Sequence, residues 1–283
     1  MVSTQLRIVH KTGYTYRGGA TASFNEVRMT PRSTHEQFVL HSRLEVSPTP
    51  WLHTNVDYWG NDVTTFEIHE RHDQLRVVAT STVDIERSPA PVDSVGWDGL
   101  QVNEVTDGLC EYLELEGLVD PGPDLIARVA ELRTGCETPR ELVDAVRSLV
   151  NAEVRFVAGS TSVKAPASTA WAQRSGVARD FAHIMIGALR SAGVPARYVS
   201  GYYLPEPEPG VPTRGYSHSW VDYWDGGWSG ADPTYDMAPG NFHVDVAHGR
   251  DYNDTAPLRG IFTGTGTSQM FVDVEITQVR SRR

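Results

Sequence analysis

The sequence predicts an α+β protein, with an N-terminal antiparallel β-sandwich over residues 1–90 and a core of helices packed on an antiparallel sheet over residues 91–283. Three observations carry this expectation. The first ninety residues hold short alternating, β-branched runs separated by turn residues. Past residue 90 the apolar period becomes that of a helix. Beyond residue 195 strand-like runs return. At 283 residues and 40% hydrophobic content, the chain can bury a sizeable core.

In the first half the strand candidates are Leu6–His10, Gln37–His41, Thr64–Ile68 and Leu75–Val83. Gly18-Gly19, Pro48 and Trp59-Gly60-Asn61-Asp62 supply the turns between them. The two prolines of Ser88-Pro89-Ala90-Pro91-Val92-Asp93-Ser94 can continue neither a ladder nor a helix, so the linker is placed there.

Thr138 caps a helix that runs to Val150, with Pro139 at its first position, Glu141 in its first turn, and Leu142, Val146, Leu149 and Val150 on its apolar side. A second helix spans about 176–192. Phe181, Met185 and Leu189 form its stripe, Ser175 is its expected N-cap, and Gly193 and Pro195 stop it. Strands follow at Ala196–Leu204, Ser217–Trp224 and Met270–Thr277, and the proline-rich 205–212 stretch between the first two reads as a stiff connection or rim.

The formal charge is −11, with 25 basic residues scattered among 36 acidic ones, which excludes nucleic acid as the expected partner. No window of 18 apolar residues and no secretory signal is visible, so no membrane partner and a cytoplasmic location are expected. Cys110 and Cys136 lack the spacing of a zinc site or a redox pair and read as ordinary thiols.

Chemistry concentrates in three places. Residue 178 falls in the first turn of the second helix, where unsatisfied N–H groups and the helix dipole would stabilise a thiolate. It is alanine, within Ser175-Gly176-Val177-Ala178-Arg179-Asp180-Phe181-Ala182-His183. Downstream lie His218, in Ser217-His218-Ser219-Trp220-Val221, and Asp232, in Gly230-Ala231-Asp232-Pro233. This is the chain order of a Cys-His-Asp triad whose first member is missing. A lone histidine on a strand or an Asp-Pro turn is ordinary by itself; the combination in this order is specific.

At these residues the chain resembles the bacterial transglutaminase-like family. The likeness extends through Gly193-Val194-Pro195-Ala196-Arg197-Tyr198-Val199-Ser200-Gly201-Tyr202 and Asp232-Pro233-Thr234. It continues in the first half at Asn25-Glu26-Val27-Arg28-Met29-Thr30-Pro31-Arg32 and near the end at Gly249-Arg250-Asp251-Tyr252-Asn253-Asp254. The resemblance implies a papain-like, transglutaminase-like core that performs acyl transfer or amide hydrolysis through a thioester, without metal or organic cofactor. It makes His218 the general acid/base, Asp232 its orienter and position 178 the nucleophile's place. The implied ligand is a peptide, amide or other acyl substrate.

Arg179, beside position 178, is a candidate for a substrate carboxylate, set against pairing with a nearby acid. Trp220 is a candidate for the cleft wall, set against burial in the core. Phe181 reads as core, and His183 as a structural hydrogen-bonding or substrate-shaping residue. Three functions stay open: an acyl-transfer protein in an inactive Cys-to-Ala form, a cysteine-independent enzyme using a His218–Asp232 dyad for dehydration or cyclisation, and a non-catalytic peptide-binding scaffold.

Overall fold

The computed structural model describes residues 3–87, 94–205 and 208–282. Six strands come first: β1 (Ser3–Ala20), β2 (Ala22–Val27), β3 (Gln37–Ser47), β4 (Leu52–Val56), β5 (Asp62–Ile68) and β6 (His72–Ile85). A helical region with two short strands follows: α1 (Asn103–Gly108), α2 (Gly122–Arg133), α3 (Pro139–Glu153), β7 (Arg155–Phe156), α4 (Ala167–Gln173), β8 (Ser175–Gly176) and α5 (Ala178–Ser191). The chain ends in β9 (Ala196–Tyr203), β10 (Thr213–Trp224), β11 (Trp228–Ala231), β12 (His243–Gly249), α6 (Tyr252–Thr255), β13 (Leu258–Thr263) and β14 (Ser268–Arg282).

These strands make one curled sheet of order β12-β9-β10-β14-β1-β6-β3, with β11 added on β10, and a smaller sheet of order β13-β2-β5-β4. The two sheets face each other as an antiparallel sandwich. Its interior takes Tyr16, Leu75, Val77 and Ala79 from the large sheet and Val27, Phe66, Ile68 and Leu258 from the small one. Alternation along β6 buries every second side chain from Leu75 onward, as period-2 patterning requires: Leu75, Val77 and Ala79 in this layer, and Val83 and Ile85 in a neighbouring cluster with Leu6, Tyr202 and Val244. Both closing strands come from the C-terminus: β14 pairs with β1 from Ser3↔Arg282 to Tyr16↔Ser268, and β13 pairs with β2. The expected linker lies outside the described residues except for Ser94.

The second core surrounds α5. Every residue from Asp180 to Arg190 is buried, and the helix packs against α2, α3, α4, β9 and β10. Its all-round apolar character follows from that position, because a helix enclosed by neighbours has no solvent face. Gly187 makes the enclosure possible: a Cβ there would collide with the Val119 carbonyl oxygen and reach within 3.1 Å of Pro121. α3 begins as the sequence indicates, with the Thr138 hydroxyl accepting the Glu141 N–H at 3.2 Å.

Two expectations about local structure change, and the reading of the two cysteines stands. Gly18 and Gly19 do not end the strand; they carry β1 through positive φ values of 93° and 77°, and the β1–β6 register jumps between Thr15 and Ala20. Ser175 does not cap α5, because it pairs with Arg155 in the short parallel β7–β8 ladder. Val177 occupies the capping position, and its N–H is taken by the Asp180 carboxylate at 2.8 Å. Cys110 is exposed, and the Cys136 thiol donates to the Leu132 carbonyl at 3.3 Å, so both are free thiols.

Candidate active site

The first turn of α5 opens onto a cleft of about 890 Å³, walled on the opposite side by Arg214–Ser219 of β10. Ala178 and His218 both line it. Asp180 sets the helix start. Its buried carboxylate accepts the Val177 N–H and, at 2.5 Å, the Thr161 hydroxyl, which ties the preceding loop to the first turn. The backbone N–H groups of Ala178 and Arg179 have no acceptor among the described residues, as expected for the first turn of a helix.

His218, Trp220 and Asp222 share one face of β10 by alternation, opposite Gly201, Val199 and Arg197 of β9. Asp232 follows the last residue of β11 and opens a tight loop. Its N–H donates to the Met237 carbonyl at 2.8 Å, and the Met237 N–H returns to the Asp232 carbonyl at 3.2 Å. Two side chains of α3 hold that loop: Arg147 Nε meets Asp236 at 2.8 Å and the Asn151 amide reaches the Thr234 carbonyl at 2.9 Å. Asp232 is therefore placed by packing, not by its own flexible turn.

The pair the sequence singled out meets directly. His218 Nε2 lies 2.6 Å from Asp232 Oδ2, with His218 8% exposed and Asp232 fully buried. A second imidazole, that of His243 at the head of β12, places its Nε2 3.1 Å from the same oxygen. The other oxygen, Oδ1, accepts the N–H of Thr234 at 2.9 Å and of Tyr235 at 3.4 Å. Burial alone would raise the Asp232 pKa. The hydrogen bonds from both histidines outweigh that and hold it below the usual carboxylate range. With Nε2 of His218 committed to Asp232, Nδ1 is left with no hydrogen-bond partner among the described residues.

The sequence did not mark His243. Its neighbourhood, His243-Val244-Asp245-Val246, alternates as a strand should, and that was the available signal. Tyr203 stacks on the His243 ring at 4.2 Å, and Tyr235 stands edge-on to His218 at 5.5 Å.

Arg179 lines the cleft, yet its guanidinium is engaged by the Ser162 carbonyl at 3.3 Å and by Thr161 and Asp180 at 3.4 Å each. Pairing with the nearby acid is what the structure displays. Trp220, expected at the cleft wall, is 1% exposed and lies beneath the site. Its ring sits 6.0 Å from His218 and edge-on to His243 at 5.3 Å, so it supports the imidazoles from below. Phe181 is core. His183 is fully buried, accepts the Tyr252 N–H at Nε2 (3.2 Å), and has its pKa pushed down to about 3 by burial and by Arg179 and Arg190.

His218, Asp232 and His243 also form the one group among the described residues whose donor atoms cluster closely enough for a metal, all within 4.8 Å. Direct hydrogen bonds already join these atoms pairwise to Asp232, and the Gly240 N–H occupies Nδ1 of His243 at 3.1 Å, which leaves the proton on its Nε2. A protonated nitrogen donates and does not ligate, so the cluster fits a hydrogen-bonded relay better than an ion site. No helix among the described residues is long and apolar enough to cross a membrane.

Comparison with known proteins agrees with this architecture. The family described as the bacterial transglutaminase-like N-terminal region matches residues 6–84, and the transglutaminase-like superfamily core matches residues 126–233. An uncharacterized protein of Mycobacterium leprae is 38% identical over 277 residues, covering 97% of this chain and 99% of its own length. A protein-glutamine gamma-glutamyltransferase of Pseudomonas aeruginosa is 35% identical over 130 residues, 41% of this chain and 19% of that protein. A solved structure from Cytophaga hutchinsonii, titled as a presumed cysteine protease, superposes with a TM-score of 0.75 at 23% identity, over 96% of this chain and 90% of that one. At that identity it speaks for the fold.

Proposed function

The chain belongs to the transglutaminase-like superfamily, and from that membership we propose that its cleft is an acyl-substrate site of the Cys-His-Asp type in which alanine stands in the nucleophile's place. The observation that carries the reading is the company Ala178 keeps. It opens a buried helix and lines the same cleft as His218, whose Nε2 is already fixed on a buried carboxylate.

A thiol at this position would pass its proton to Nδ1 of His218, attack an amide carbonyl and release the amine, with Asp232 stabilising the imidazolium. The free N–H groups at the start of α5 would receive the oxyanion. A methyl group has no lone pair and forms no acyl-enzyme, so the chain with Ala178 binds a peptide or amide substrate without turning it over by this route. The glutamyl-transferring relative makes a glutaminyl side-chain amide the first acyl donor to examine.

The test is the Ala178→Cys variant, assayed with an activated ester and with a glutamine-containing peptide plus a primary amine. Release of alcohol or incorporation of amine by the variant, absent from the parent, supports the reading. A folded variant inert toward both overturns it.

A second reading draws on the unpartnered Nδ1 of His218. Oriented by Asp232, this nitrogen is competent for proton transfer without a thiol, as a dehydration or cyclisation would need. It predicts turnover by the chain carrying Ala178 and loss of that turnover in His218→Ala.

A further inference from the structure

The Cys-His-Asp scheme assigns no part to His243, yet this residue is fully buried and completes the hydrogen bonding of Asp232. Its position is dictated locally. It is the first residue of β12, directly opposite Tyr203 in the ladder, and so shares the face on which His218 and Asp232 meet. Nδ1 accepts the Gly240 N–H, which requires that nitrogen to be unprotonated. The ring proton then sits on Nε2 and is donated to Asp232 Oδ2. A second proton on this ring would displace the Gly240 bond and place a cation close to Arg87, whose Nη2 meets the His243 carbonyl at 3.3 Å. Burial likewise lowers the His243 pKa.

Four N–H donors therefore converge on one carboxylate: His218 and His243 on Oδ2, Thr234 and Tyr235 on Oδ1. A carboxylate held by four donors neither rotates nor takes up a proton, and its charge is shared among them.

We propose that His243 is a positioning residue, a neutral Nε2–H donor that shares Asp232 Oδ2 with His218 and thereby fixes the orientation of the carboxylate and limits how strongly it holds the His218 imidazolium. The inference rests on the reading of His218 and Asp232 given above. Its consequence for chemistry at position 178 is an imidazole that still gives its proton back to a leaving amine, because the charge opposite it is divided.

The groups facing His218 define the background for a test. Asp232 and His243 are bonded to each other, Tyr203 and Tyr235 contact the His218 ring, and Arg179, Arg214, Asp273 and Tyr252 lie along the same cleft. A substitution at His243 leaves all the others in place. His243→Phe keeps an aromatic ring against Tyr203 and removes the donor. His243→Gln keeps an N–H able to reach Oδ2.

The experiment follows the imidazole resonances of labelled protein carrying Ala178 by NMR, as a function of pH. The expected result is that His243→Phe raises the His218 midpoint by about one pH unit, a tenfold change in its protonation constant, because the undivided Asp232 charge favours the imidazolium. His243→Gln should return it to within a few tenths of a unit. A folded His243→Phe protein whose His218 titration is unmoved overturns the proposal, as does a Gln variant that behaves like Phe. Should neither variant fold, the nitrogen shifts of the parent decide. A neutral Nε2–H ring at His243 at pH 7 is required, and an Nδ1–H or doubly protonated ring contradicts it. These readouts need no acyl chemistry, so they can fail while Ala178→Cys gains activity, or succeed while it does not.

Discussion

Gly201 and Trp220 occupy one space: a Cβ on Gly201 would stand 2.7 Å from the Trp220 ring and would also strike the Val244 carbonyl oxygen of the neighbouring strand. The glycine leaves room for the indole beneath the site, where it meets His218 tilted and His243 edge-on. Gly201→Ala should therefore cost about 2 kcal/mol or more through overpacking, and should disturb the imidazoles before it disturbs the sandwich. Urea denaturation gives the stability, and the histidine resonances give the local effect. A change below 0.5 kcal/mol with unshifted resonances would contradict this packing account.

Asp232→Asn should be more costly than an isosteric change usually is. The amide cannot accept from two imidazoles on one atom while its NH2 faces donors, so at least one buried group loses its partner. A loss of about 2–3 kcal/mol is expected, the range for leaving buried polar groups unsatisfied. A midpoint in urea equal to that of the parent would mean that the four-donor arrangement contributes little.

Two buried histidines make stability fall with acid. Burial lowers the pKa of His10 to about 4, against a small opposing influence of Asp273, and that of His183 to about 3. In both cases the folded value lies below the unfolded one near 6.5, so between pH 6.5 and pH 4 the unfolded chain binds protons that the folded chain refuses. Stability thus rises with pH across this window and is lost as pH falls through it, by on the order of 1 kcal/mol per pH unit for each residue. Denaturation curves at pH 7 and pH 5 should differ accordingly, and His10→Gln should reduce the slope. A flat profile across the window would refute the assignment.

Thr161 and Asp180 join the loop in front of α5 to its first turn through a 2.5 Å hydrogen bond. Thr161→Val removes that hydroxyl while keeping the shape of the side chain. The Asp180 carboxylate retains the Val177 N–H, so the expected loss is about 1 kcal/mol, with faster hydrogen exchange at the first turn of α5. Unchanged exchange there would show that the loop does not brace the helix.

Much of the site was legible from chain order and from the resemblance to the transglutaminase-like family. The helix start at position 178 is a local signal, whereas His218 on a strand and Asp232 in an Asp-Pro turn are ordinary alone and acquire their roles only in that combination. His243 carried no such signal, since its role exists only where β10, the end of β11 and β12 come together. Trp220 was ambiguous for the same reason: alternation assigns a face, but only packing decides whether that face is cleft or floor. In the fold, strands with regular alternation such as β6 and helices with caps such as α3 were readable. β2 and β4 were not marked: both are short, β2 pairs with strands far away in sequence, and β4 is an exposed edge strand without clear alternation. The return of β13 and β14 to the first sandwich is likewise a long-range pairing that no local pattern encodes.

The central claim is that the surroundings of Ala178 are organised for a thiolate. The most direct measurement is the pH dependence of alkylation of Ala178→Cys, made with and without His218→Ala. The account predicts a thiol reacting with a midpoint well below the ordinary value of about 8.5, and a return toward that value when His218 is removed. A thiol at position 178 that titrates normally, or that is indifferent to His218, would contradict it.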